Sequence, residues 1–112
     1  MVKYRRTPGL DAVLAAIADP TRRAIVESLA QGPSTISSVA SQFPMSLPGF
    51  CKHVRVLERS GLIRRRRHGR ENTLELMPEP LKEVAQWAFS YARFWNTQLD
   101  RMEDYFATKR GK

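Results

Sequence analysis

Few side chains in this 112-residue chain could do chemistry, and most of them are cations. Cys51 is the single cysteine, so one chain can build neither a disulfide framework nor a cysteine-based metal cage. The two histidines, His53 and His68, have no nucleophile–base–acid set spaced around them, which argues against an enzyme. What remains is ionic. From Ser46 to Arg70 the sequence SLPGFCKHVRVLERSGLIRRRRHGR holds eight Lys or Arg against one acid, Glu58, a local +7 within a chain total of +8. Cations at that density suit the phosphates of nucleic acid, and Lys or Arg on a helix can also meet the O6 and N7 of guanine.

Those groups need elements to hold them. Ser46 caps an amphipathic helix expected to run to Arg59, and Phe50, Val54 and Leu57 share one face of it. At 100° per residue Pro48, Lys52, Arg55 and Arg59 fall on the opposite face, and three of these four are cationic. Gly49 either lets the backbone approach a surface closely or is simply tolerated in the first turn. Ser60-Gly61 stops the helix. Two strands between Leu62 and Met77 then frame Arg67-His68-Gly69-Arg70, whose glycine suits a tight hairpin tip. A lone hairpin is unstable, so this one must lean on helices as a wing.

Upstream, Leu10, Val13, Leu14 and Ile17 follow helical spacing as far as Ala18. Asp19-Pro20 reads as a cap and first-turn proline for a second helix ending near Gln31. A short third helix carries Ile36, Val39, Ala40 and Phe43 behind Ser34 or Thr35, and a turn of about three residues leads to Ser46. That spacing is a helix-turn-helix. Downstream, Leu81, Ala85, Ala88, Ala92, Trp95, Leu99, Met102 and Phe106 repeat every seven residues, with Trp87, Phe89, Tyr91, Phe94 and Tyr105 flanking the seam. One helix cannot hide that surface, so a homodimer is expected. The organisation is a flexible basic arm over 1–9 and one domain over 10–108, closed by a helix over 80–108. The fold class is mainly α with a small β-hairpin, in the order α-α-α-α-β-β-α.

A pI near 10.4 suggests a polyanionic partner, with double-stranded DNA first and RNA or a membrane surface behind it. No apolar run reaches the ~18 to 20 residues of a membrane span. The basic start MVKYRRTPG has no apolar segment behind it, so no secretory signal is expected and the cytoplasm is the expected compartment.

The element order, Asp19-Pro20-Thr21-Arg22-Arg23-Ala24-Ile25, and Met45-Ser46-Leu47-Pro48 leading through Lys52-His53-Val54 to Leu57-Glu58-Arg59-Ser60-Gly61-Leu62-Ile63 together resemble the ArsR family of bacterial winged-helix repressors. The match runs from about Leu10 to Pro80. The resemblance implies a winged helix-turn-helix whose dimer is formed by the first and last helices, bound to inverted repeats in promoters. It places Ser46, Leu47, Pro48, Gly49, Cys51, Lys52, His53, Arg55 and Arg59 on the DNA-facing helix, and Arg66, Arg67, His68 and Arg70 on the wing. It places Leu10, Leu14, Ile17, Ala88, Tyr91, Trp95, Leu99, Met102 and Phe106 at the dimer interface. Metal-sensing members carry a cysteine pair where Thr35 and Ser37 stand here, and neither residue is a soft ligand. Asp100, Glu103 and Asp104 beside Arg101 read as a solvated face, so no metal and no cofactor are expected, and the effector is left unknown. Two other readings stand beside this one: a thiol switch at Cys51, which occupies a position where the family usually has a small hydroxyl residue, or a sequence-independent basic nucleic-acid-binding module.

Overall fold

The structure, a computed structural model, describes the backbone of residues 8–110 and the side chains of 9–92 and 96–108. The arm expected over 1–9 therefore lies outside the described residues up to position 7. Pro8 and Gly9 are already helical, because proline is well suited to the first turn of a helix. In chain order the elements are α1 (Pro8–Ile17), α2 (Pro20–Leu29), β1 (Ser34–Thr35), α3 (Ile36–Ala40), α4 (Leu47–Arg59), β2 (Ile63–His68), β3 (Glu71–Leu76) and α5 (Pro78–Arg110).

Each helix start is fixed by a side chain. Asp19 accepts from the Arg22 amide ahead of Pro20 in α2, Thr35 accepts from the Ser38 amide of α3, and Ser46 accepts from the Gly49 amide of α4. The end of α1 is closed from outside, since its last turn holds no basic residue. Arg22 and Arg23, in the first turn of α2, reach back to it: Arg22 donates to the carbonyls of Ala15 and Ala16, and Arg23 to those of Ile17 and Ala18. Two guanidinium groups thus satisfy the orphan carbonyls at the negative end of the helix dipole.

The core draws on nearly every element. Val13 and Ala16 of α1, Ile25 and Leu29 of α2, Val39 of α3, and Phe50, Val54 and Leu57 of α4 meet Leu62, Ile63 and Leu74 from the sheet side. Phe50 is the largest fully buried side chain, and its ring lies 5.8 Å from that of Phe43. Burial of Phe50, Val54 and Leu57 gives a gross transfer gain of about 5–9 kcal/mol, so the face opposite is firmly held outward.

The sheet departs from the expected hairpin. Its strand order is β1-β3-β2, with Ser34 paired to Leu74 and Thr35 to Thr73 on one side of β3, and Ile63 paired to Leu76 through His68 to Glu71 on the other. The added strand is two residues long, too short to carry a period-two signal. The helix-turn-helix connection also differs: α3 stops at Ala40, so residues 41–46 link it to α4 rather than about three residues. Phe43, expected on α3, packs against the core from that link.

α5 begins at Pro78, two residues before the expected start, and ends at Arg110 instead of Thr108. Its 33 residues span about 50 Å. Leu81 and Val84 of its first turns pack on the core, and α1 lies alongside. The molecule measures 70 × 37 × 22 Å, its long dimension reflecting that rod.

Candidate nucleic-acid interface

The expected division of α4 is realised. Phe50, Val54 and Leu57 are buried, while Pro48, Lys52, Arg55 and Arg59 are exposed. Ser46 and Leu47 are exposed at the helix start. At Gly49 a Cβ would sit 3.2 Å from the Ser46 hydroxyl oxygen that caps the helix, a tight contact. A side chain at 49 would need the serine hydroxyl to give by a few tenths of an ångström, and Ser38 and Arg22 occupy the equivalent position behind the caps of α3 and α2.

The flanks of α4 are specialised. On the wing flank, Glu58 accepts two hydrogen bonds from the Arg65 guanidinium, at 3.1 and 3.2 Å. Cys51 is half-buried on that flank, in a groove of about 360 Å³ shared with Thr35, Leu47, Arg65, Arg70 and Asn72. On the α2 flank, His53 is turned inward and half-buried, away from the Lys52–Arg55 face. Its Nδ1 is 3.3 Å from Arg22 Nη1 and 3.9 Å from Asp19 Oδ2. The backbone hydrogen bond from Arg22, with His53 and the Arg22 charge adding to it, holds the Asp19 carboxyl below its ordinary value.

Register sorts the wing arginines. Arg64 stands directly opposite Glu75 and binds it at 2.6 and 3.2 Å, and this pairing lowers the Glu75 carboxyl below its usual range. Arg65, one residue on, faces the other way and reaches α4. Arg66 stands opposite Thr73, and Arg67 donates to the Gly69 carbonyl at 3.1 Å. The tip is the two-residue turn Gly69-Arg70, in which only Gly69 has positive φ, at 61°, the pattern of a II′ hairpin turn. Arg66, Arg67, His68 and Arg70 are all exposed. Among the described residues, Lys52, Arg55, Arg59, Arg66, Arg67 and Arg70 form no ion pair. The free charge thus lies along the outer face of α4 and at the wing tip.

Comparison with known proteins bears on this arrangement. A helix-turn-helix domain profile matches residues 17–66. The HTH-type transcriptional regulator Rv2034 of Mycobacterium tuberculosis is 37% identical over 84 residues, 75% of this chain and 76% of that protein. The transcriptional repressor SdpR of Bacillus subtilis is 30% identical over 79 residues, 70% of this chain and 88% of that one. The crystal structure of an ArsR family transcriptional regulator, RHA00566, superposes with a TM-score of 0.74 at 40% identity, covering 86% of this chain and 97% of that one. The chain belongs to the ArsR family. A homodimeric winged helix-turn-helix DNA-binding domain of the family type from Mycobacterium bovis, Mb0332, shares the fold with a TM-score of 0.62 at 24% identity, over 75% of this chain and 81% of that one.

This ArsR-family protein is accordingly a DNA-binding transcriptional regulator of the winged helix-turn-helix type, with α3 and α4 followed by the β2–β3 hairpin. Residues expected at the dimer interface fall into two groups. Leu10, Leu14 and Ile17 are half-buried on α1, and Ile17 packs on the chain's own core. Ala88, Tyr91, Leu99, Met102 and Phe106 are exposed on α5, while the side chain of Trp95 lies outside the described residues. Sequence reasoning missed the pairing roles of Asp19, Arg22, Glu58 and Glu75. The Asp-Pro-Thr-Arg-Arg run signalled the first two, because a helix cap followed by two arginines at a corner can serve both helices. No local pattern signals Glu58 or Glu75, whose partners are set by strand register. No helix among the described residues is long and apolar enough to cross a membrane.

Proposed function

We propose that the protein is a homodimeric cytoplasmic repressor that grips an inverted repeat, with one recognition helix in each of two successive major grooves. The unpaired cationic face of α4 beside an unpaired cationic wing tip carries this reading. Lys52 and Arg55 project from the middle of that face and are the base-edge readers, matched to guanine O6 and N7. Ser46 and the Leu47 amide receive a backbone phosphate at the positive end of the helix dipole, since Pro48 has no N–H and the Gly49 amide is held by the cap. Arg66, Arg67 and Arg70 neutralise phosphates next to the groove, which positions the protein without specifying sequence.

Two observations support the dimer. Leu99, Met102 and Phe106 lie in one line on α5, beyond the last contacts with the chain's own core, and are 53, 53 and 48% exposed. Each protomer presents one recognition helix, whereas two half-sites about 34 Å apart need two. The name of SdpR supports repression as the outcome of binding. Footprinting of the protein on DNA upstream of its own gene tests the reading directly, and a protected inverted repeat is expected. Arg55→Ala is expected to weaken binding to that repeat more than binding to random DNA. Equal loss on both would reduce Arg55 to a phosphate contact, and no protected repeat would leave only a non-specific basic module.

A further inference from the structure

We infer that Arg22 is a positioning residue for DNA recognition: it ties the end of α1 to His53 and so fixes the roll of the recognition helix relative to that helix. Its guanidinium is divided between two tasks. Nε and Nη2 hold the carbonyls of Ala16 and Ala15 at 2.6 and 3.3 Å, and Nη1 contacts His53 Nδ1 at 3.3 Å. A helix cap requires only the first task, and Arg23 shows as much. It caps the carbonyls of Ile17 and Ala18 at 3.0 and 3.5 Å and makes no hydrogen bond to α4.

The contact matters because of what else holds α4. Phe50, Val54 and Leu57 fix its depth and keep the opposite face outward, and apolar contact leaves the finer roll about the helix axis softer than a directional hydrogen bond does. That finer roll is set by directional contacts on the two flanks. Glu58 with Arg65 is one, at 3.1 Å, and His53 with Arg22 is the other. Among the described residues, the Arg22–His53 contact is the one side-chain hydrogen bond that joins α4 to α1, α2 or α3. A small roll would swing Lys52 and Arg55 across the groove, and these sit on the side of the helix away from the core.

The contact also makes a demand on His53. A guanidinium can only donate, so the contact serves as a hydrogen bond only with Nδ1 as acceptor and the ring proton on Nε2. No described side-chain nitrogen or oxygen is buried without a partner, so Nε2 is open to solvent. Asp19 is held by the Arg22 amide at 3.0 Å and stands 3.9 Å from Nδ1. Among the described residues Arg22 and Asp19 are the charged groups that face the ring, both from α2 and its cap.

The inference rests on the DNA-binding reading above, and two independent readouts separate their failures. The first is the tautomer of His53 by nitrogen-15 NMR on the intact protein: the wild type is expected as the Nε2–H form, and Arg22→Gln is expected to mix the two forms. The second is spacing preference, the affinity for the footprinted repeat divided by affinity for the same repeat with one base pair inserted at its centre. Arg22→Gln is expected to lower that ratio about fivefold to tenfold, the worth of one lost directional contact. Arg23→Gln removes a cap from the same corner and is expected to leave the ratio unchanged. His53→Leu should reproduce Arg22→Gln, His53→Gln should retain more of the preference, and the double variant Arg22→Gln/His53→Leu should be no worse than either single change. Should Arg22→Gln fail to fold, the two His53 variants and the wild-type tautomer still decide. Equal effects of Arg22→Gln and Arg23→Gln, or an Nδ1–H tautomer in the wild type, would overturn the inference. Absence of any spacing preference in the wild type, with the Nε2–H tautomer in place, would instead count against the dimeric operator reading.

Discussion

The wing offers a quantitative test, because register has split its arginines into paired and free. Arg64 is bound to Glu75 and Arg65 to Glu58, whereas among the described residues Arg66 and Arg67 form no ion pair, Arg66 acting on Glu75 only at longer range. Each phosphate neutralised on duplex DNA contributes about 0.9 to the slope of log affinity against log salt. Replacing Arg66 and Arg67 by alanine removes four cations from a dimer, and the slope is expected to fall by about 3.6. Between about 50 and 200 mM salt, the disadvantage of the variant should then shrink by roughly two orders of magnitude. The control is Arg64→Gln with Glu75→Gln, which removes an ion pair at no net charge and should leave the slope unchanged. Fluorescence anisotropy on one labelled operator across a salt series reads both. A slope that is the same in the wild type and in Arg66→Ala/Arg67→Ala would refute the placement of the tip on phosphates. A fall of similar size in the control would show that the Arg64 pair opens on DNA and that the static register is a poor guide to free charge.

Other expectations concern stability and assembly. Phe50→Ala empties the largest buried side chain and is expected to cost about 3–5 kcal/mol in urea unfolding, with the recognition helix loosened first. Leu99→Asp puts a charge into the exposed line on α5 and is expected to raise the dimer dissociation constant well over 100-fold by sedimentation, since an unpaired buried charge costs several kcal/mol. A dimer indistinguishable from wild type would place the interface elsewhere. The Asp19 carboxyl is held below its ordinary value of 3.8, so the stability it contributes is complete above that pH and is lost as pH falls through the folded value. Asp19→Asn should therefore flatten the acid limb of thermal unfolding below about pH 4, leaving the profile near neutrality parallel to the wild type.

Much of this architecture is legible in the amino acids, because periodicity and caps act locally. Phe50, Val54 and Leu57 announce a buried face at +4 and +3, and Ser46 and Asp19 cap as serine and aspartate ahead of proline-containing first turns should. β1 was hidden because two residues have no period, and Thr35 serves both as its end and as the cap of α3. The arginine run looked like a uniform block of charge. Only the pairing register reveals that alternate members face opposite sides of the sheet and meet different acids, Glu75 on β3 and Glu58 on α4. His53 was legible as a recognition-helix residue but not as one turned inward, since its partner Arg22 lies 31 positions earlier. Sequence leaves Gly49 between close surface approach and simple tolerance in the first turn, and the structure adds only a tight 3.2 Å approach of a Cβ there to the Ser46 hydroxyl oxygen. Local rules found the elements. Contacts between distant positions determine what each charge is for.

The outer half of α5 has a thermodynamic consequence. Among the described residues core contact ends with Val84, and a helix that runs on to Arg110 without packing draws little stability from propensity alone. If a second chain supplies the missing surface, ordering that half and meeting the partner become one event, governed by mass action. The population able to bind an operator then rises with the square of monomer concentration while monomer prevails. A repressor of its own gene built this way stays nearly silent when scarce and shuts synthesis off abruptly once enough copies have accumulated to complete each other's helices.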